Sequence, residues 1–186
     1  GDPRKEIIAL GQTYFAIQTR RQEVADRFNQ LDEDKKRLVI RGDIKQWNQL
    51  LAEAAHDAGV IDEKEFAVFQ NAGYMGLYDG LRVSDIHKKK GIKKSERILD
   101  YMGSTELIAN LFRISQTEEK LKKDKTATAD AANEVHFIVG KEVRNAIRRV
   151  GGTMPEDLPT PKKSITLIEK EQLKKLKNSK NKLMLD

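Results

Sequence analysis

Among 186 residues there is no cysteine, which excludes disulfides, thiol chemistry and thiolate-held zinc and suits a reducing cytoplasm. A net charge of +6 with a pI near 9.4 points to anionic partners without naming them, and 38% hydrophobic against 34% charged residues leaves a core plus a share of solvated helix. No apolar run is long enough to span a bilayer and no signal-peptide pattern opens the chain, so the expectation is a soluble, cytoplasmic protein with no membrane contact; Gly1 in first position suggests a fragment or a processed chain.

From Pro3 onward, Ile7, Leu10, Tyr14, Ile17, Arg21, Val24, Phe28 and Leu31 recur at steps of three and four, with Asp2 as N-cap. Residues 1–31 therefore read as one long helix. It is either a core helix with Arg21 at its edge or a coiled-coil-like arm whose Ile7, Leu10, Tyr14, Ile17 and Val24 serve self-association or docking of a further domain. A second helix, about 35–58, carries Ile40, Ile44, Trp47, Leu51, Ala54 and Ala58 on one face, with Trp47 as core anchor and Gly59 as its stop. Asp62 and Glu65 then form a capping box, Ile61 and Phe66 have the spacing of a hydrophobic staple, and Phe66 and Phe69 face inward.

Residues 71–120 concentrate the irregular features: five of the twelve glycines, three of the four tyrosines and the cations Lys88, Lys89, Lys90, Lys93, Lys94 and Arg97. Gly73, Gly76 and Gly80 are expected to interrupt regular structure. Ser84 would cap a short helix ending at Gly91, Ser95 another reaching about Met102, and Ser104 a longer one with Glu106 at its dipole and Leu107, Leu111, Ile114 and Leu121 on its stripe, Ile108 and Phe112 beside it. A further helix, about 130–150, would bury Val135, Val139, Val143, Ala146 and Val150, and Gly140 within it would let a neighbouring helix approach. Gly151 and Gly152 end it. Three prolines make 154–161 extended, after which Thr160 would cap a last helix with Ile165, Ile168, Leu173 and Leu176 on a thin stripe that needs a partner surface. The fold class expected is all-α, a bundle of about six to eight helices, with at most one short β pair between Val60-Ile61 and Leu81–Val83. The divisions are a 1–31 helix, a 32–152 core, a 153–161 Pro-rich linker and a 162–186 lysine-rich end.

No residues form a recognisable active site. His56, His87 and His136 stand at no metal-ligand spacing, Asp62-Glu63-Lys64 opens a helix where a nuclease would present such residues on a strand, and Gly73-Tyr74-Met75-Gly76 lacks the cations of a phosphate-clamping loop. No catalytic residue, metal ligand or cofactor is expected. The cations carry more: Lys88, Lys89, Lys90, Lys93, Lys94 and Arg97 read as a nucleic-acid or filament contact, and Arg144, Arg148 and Arg149 as a second basic patch. Dipole complementation and solubility are the competing account of both patches. No helix places Arg, Asn and Gln for reading base edges in a groove.

The opening GDPRKEIIALGQTYFAIQTRRQE, the central GYMGLYDGLRVSDIHKKKGIKKSERILDYMGSTELIANLFRISQTEEKLK and the later GGTMPEDLPTPKKSITLIEKEQ together resemble the bacterial DNA-damage-inducible protein D family, in long blocks covering nearly the whole chain. The resemblance implies that the family's BRO-type N-terminal DNA-binding portion is mostly missing here. It further implies a role in DNA damage and the SOS response, as a modulator of a RecA-type recombinase on single-stranded DNA, and no enzyme. The alternatives are a nucleic-acid-binding transcriptional or phage-like regulator and, less favoured, a nuclease. The partners so implied are the recombinase and single-stranded DNA, with a homo-oligomer left open.

Overall fold

The computed structural model describes residues 32–183, with side chains as far as Asn178, so the stripe of Ile7, Leu10, Tyr14, Ile17 and Val24 lies outside the described residues. The chain divides into two compact units, Gly1–Lys36 and Arg37–Asp186. In the first, Asp32 starts a helix by accepting a hydrogen bond from the Lys35 amide at 2.9 Å. In chain order the α-helices are α1 (Glu33–Asp57), α2 (Glu63–Leu77), α3 (Val83–Lys90), α4 (Ser104–Lys123), α5 (Ala129–Arg149) and α6 (Ile165–Leu183). Two 3-10 turns, Ile98–Tyr101 and Pro155–Asp157, join them, and the described residues contain no strand. The all-α reading holds, while the short β pair does not form: Val83 instead opens α3.

On α1 the stripe of Ile40, Ile44, Leu51, Ala54 and Ala58 is buried as its spacing requires, and Gly59 ends the helix at φ +92°. Trp47 is only half-buried, so it is not the expected anchor. The largest buried side chain of α1 is Arg37, which donates to the carbonyls of Met102 (2.9 Å), Asp100 (3.0 Å) and Lys163 (2.8 Å). One guanidinium thus ties two distant backbone segments, 100–102 and Lys163, to α1.

The capping box at α2 forms: Asp62 accepts from the Glu65 amide at 2.8 Å, and Glu65 accepts from the Asp62 amide at 3.3 Å. Ile61 is 76% exposed, so the staple to Phe66 is not closed. Gly73 and Gly76 do not interrupt the helix, contrary to expectation; α2 runs through both to Leu77 and turns only at Asp79 and Gly80, which both have positive φ. The reason is tertiary. A Cβ on Gly140 of α5 would lie 2.6 Å from Gly73 O and 2.9 Å from Leu77 N, and one on Gly76 would overlap Phe137 O, so the two backbones are nearly in contact. Glycine's low helix propensity, about 1 kcal/mol against Ala, is outweighed by this packing.

Helix α3 starts at Val83, one residue before the expected cap Ser84, because Asp85 accepts from the Arg82 amide at 3.0 Å. Gly91, left-handed at φ 65°, ψ 28°, ends it. The helix expected from Ser95 is the single 3-10 turn Ile98–Tyr101. On α5, Val139 and Val143 are buried, Val135 is half-buried, and Ala146 and Val150 are exposed, Val150 at 82%. Leu77 faces Gly140 and Arg144, so α2 has already ended where the last turns of α5 continue. Before α6, Ser164 rather than Thr160 is the cap, its hydroxyl accepting from the Leu167 amide at 3.2 Å. Pro159 and Pro161 keep Thr160 out of a helical start.

Candidate functional site

The lysine turn grows out of three local choices of sequence. Lys88, Lys89 and Lys90 put positive charge in the last turn of α3, where the helix dipole favours it. Gly91 reverses the chain, with its amide bonded to Lys88 O at 3.1 Å and that of Ile92 to His87 O at 3.2 Å. The buried His87 then staples the returning segment: its Nδ1 lies 2.9 Å from Val83 O and its Nε2 2.7 Å from Glu96 O, and a neutral ring donates to only one of them.

Past this staple, Glu96 accepts from the Lys93 amide at 2.9 Å and from the Tyr101 hydroxyl at 2.6 Å. The Tyr101 hydrogen bond first, then the Lys93 amide, hold the Glu96 carboxyl below its ordinary value, and Glu96 in turn raises Tyr101. Asp100 is taken up by Arg41, Nε to Oδ1 at 2.9 Å, with both side chains largely shielded. The acids of this region are therefore already bonded.

The six cations of the turn do not share one environment. Lys88, Lys93, Lys94 and Arg97 are exposed, and none of the four is in an ion pair among the described residues. Lys89 is exposed and lies 3.6 Å from Asp157. Lys90 turns inward: its side chain is 5% exposed and its ammonium bonds the fully buried Glu106 at 2.8 Å, so it is not a surface contact. Burial raises the Glu106 carboxyl, and Lys90 opposes that shift. Of the second patch, Arg144 is also buried, donating to Leu77 O and, in a two-pronged pair at 2.8 and 2.7 Å, to Glu156. Against the upward push of burial, Arg144 keeps the Glu156 carboxyl low. Only Arg148 and Arg149 remain exposed there.

Lys94 and Arg97 border an open groove of about 640 Å³, walled by α1, α2 and the segment from Lys94 to Leu99. Its α1 wall carries Arg41, Asn48, Gln49 and Ala52; its α2 wall carries Phe66, Gln70 and Tyr74. Asn48 Oδ1 is buried with no hydrogen-bond partner, and Glu96 is the only carboxylate among the lining residues. These wall residues were missed in the sequence, where the one available signal was a polar flank of α1 at helical spacing, Arg41 and Asn48, beside the apolar stripe.

Beneath the groove, Tyr74 is buried with the Arg113 guanidinium 4.7 Å from its ring centre. Arg113 also donates to Asn110 Oδ1 at 3.1 Å and bonds His136 Nε2, while His136 Nδ1 lies 2.9 Å from Phe69 O. Tyr78 donates to Glu106 at 2.7 Å and accepts from Asn110 at 2.9 Å. Burial and then Glu106 raise the Tyr78 hydroxyl well above its usual value. This fully enclosed network stiffens the wall from behind. No cluster of three or more His, Cys, Asp or Glu among the described residues is arranged to hold a metal ion.

Residues 31–168 match the family profile described as the DinD C-terminal domain. The chain is similar to the DNA damage-inducible protein D of Escherichia coli (strain K12), 59% identical over 171 residues that make up 91% of this chain and 62% of that protein, so it spans less than two thirds of this relative's length. No solved structure matches.

Proposed function

The chain belongs to the DinD family, and on that premise we propose that it is a non-catalytic module of the DNA-damage response that modulates a RecA-type recombinase on single-stranded DNA through protein and DNA contacts. The observation that carries this reading is the exposed set Lys88, Lys93, Lys94 and Arg97, in no ion pair among the described residues, of which Lys94 and Arg97 line an open groove whose only lining carboxylate is already bonded. Ammonium groups so placed release counterions when they meet phosphates, which favours a polyanionic assembly over a neutral partner. Arg148 and Arg149 offer a smaller second contact.

The test is retention of recombinase filaments, assembled on single-stranded DNA, by the immobilised chain. Retention is expected, and Lys93→Glu combined with Lys94→Glu should weaken it about tenfold or more at physiological salt. A folded chain that retains no filament overturns the reading. Incubation with DNA and magnesium or manganese should leave the DNA intact; cleavage would instead make the module a nuclease.

A further inference from the structure

We infer that the groove between α1, α2 and the Lys94–Leu99 segment receives an unpaired base of a DNA single strand, with Lys94 and Arg97 on the neighbouring phosphates. The inference rests on the DNA-contacting reading above and specifies which form of nucleic acid the site takes.

Four features of the groove converge on that ligand. Its volume, about 640 Å³, falls within the roughly 300–1,000 Å³ typical of small-molecule sites and is open to solvent, as entry of a base from a chain requires. Phe66 is half-buried in its wall, with its ring centre 6.0 Å from that of Phe69, so it is held as a platform on which a base can stack. Asn48, Gln49 and Gln70 supply amides, and Asn48 Oδ1 is a buried acceptor that lacks a donor. Every nucleobase has an N–H on its pairing edge. In a duplex that edge is occupied and the face is stacked, so only an unpaired base can offer both at once.

The electrostatics agree with the geometry. Cations sit at the rim, where Lys94 and Arg97 outnumber the one lining carboxylate, Glu96, which is turned to Tyr101 and Lys93 N. Arg41 is held by Asp100 and contributes its shape to the wall more than a free charge.

The experiment is fluorescence anisotropy at low salt with the full chain and three probes: an oligothymidine of about 15 nucleotides, a mixed duplex of the same length, and thymidine monophosphate as competitor. The oligothymidine should bind at least tenfold more tightly than either duplex or monophosphate. Phe66→Ala, which removes the platform, and Ala52→Phe, which fills the groove, should each weaken single-strand binding on the order of tenfold and leave duplex binding unchanged. Lys94→Glu should weaken both. Thermal melts of each variant separate loss of the site from loss of the fold. Equal affinity for single strand and duplex, or single-strand affinity that survives both groove variants, overturns the inference while leaving the filament reading intact. Comparable affinity for the monophosphate also overturns it, since the site would then serve free nucleotides. A chain that binds filaments but no DNA defeats the groove and keeps the recombinase.

Discussion

His136 is placed where water does not reach, between a carbonyl that accepts from Nδ1 and a guanidinium that donates to Nε2, which fixes it as a neutral ring. Burial first, and the Arg113 charge second, push its pKa well below 6.5. The unfolded chain therefore takes up a proton as pH falls through about 6.5 while the folded chain does not. Stability should be complete above that pH and decline below it, at up to about 1.4 kcal/mol per pH unit until the folded-state pKa is reached. Glu106 contributes the opposite sign: its raised carboxyl favours the fold at low pH and loses that advantage as pH rises through its folded value. Urea midpoints between about pH 7 and 5 should fall in the parent chain and flatten in His136→Gln, which keeps Glu106. An unchanged slope in that variant would place the acid sensitivity elsewhere. None of this was legible at the residue scale, because helical periodicity marks Glu106, Arg113 and His136 only as polar positions. What converts them into a buried network is their facing one another across α2, α4 and α5, a fact of tertiary packing.

Between elements, the crossing of α2 and α5 depends on positions without a side chain. Gly140 was readable as a place of close approach, since glycine within a helix costs stability unless something is gained by it. Its counterparts Gly73 and Gly76 were misread as breaks, because the same residue serves turns and tight crossings and only the neighbour decides between them. The distinction is measurable. Gly76→Ala would force Cβ into Phe137 O and should cost at least about 1–3 kcal/mol, and Gly73→Ala would strike Arg113 and His136. Gly42, in the interior of α1, has nothing within 4 Å of a would-be Cβ, so Gly42→Ala should instead stabilise by about 0.5–1 kcal/mol. Urea unfolding of the two variants should move in opposite directions; a stabilised Gly76→Ala would show that the crossing is looser than described.

Across the molecule, local start and stop signals carried the reading: the Asp62 capping box, Gly59, Gly91 and the run of helices could all be found because each rests on residues adjacent in sequence. The groove could not, since its walls come from positions as far apart as Arg41 and Leu99. The C-terminal stretch shows where the fold's requirements stop. Arg37 holds Lys163 O, Ile165 and Ile168 are buried, and from there α6 presents Leu173 at 58% and Leu176 at 62% exposure among lysines. Burial of the first turn should therefore carry the stability, so Ile168→Ala should cost about 2–5 kcal/mol. A chain ending after Gln172 should lose no more than about 0.5 kcal/mol, as surface changes do. Repeating the urea titrations at low and high protein concentration adds a second reading. If another copy covers Leu173 and Leu176, the midpoint of the full chain will rise with concentration, by mass action, and that of the shortened chain will not. A midpoint independent of concentration in both, together with a large loss on shortening, would mean that the far end of α6 packs on its own chain, contrary to the exposure of its leucines.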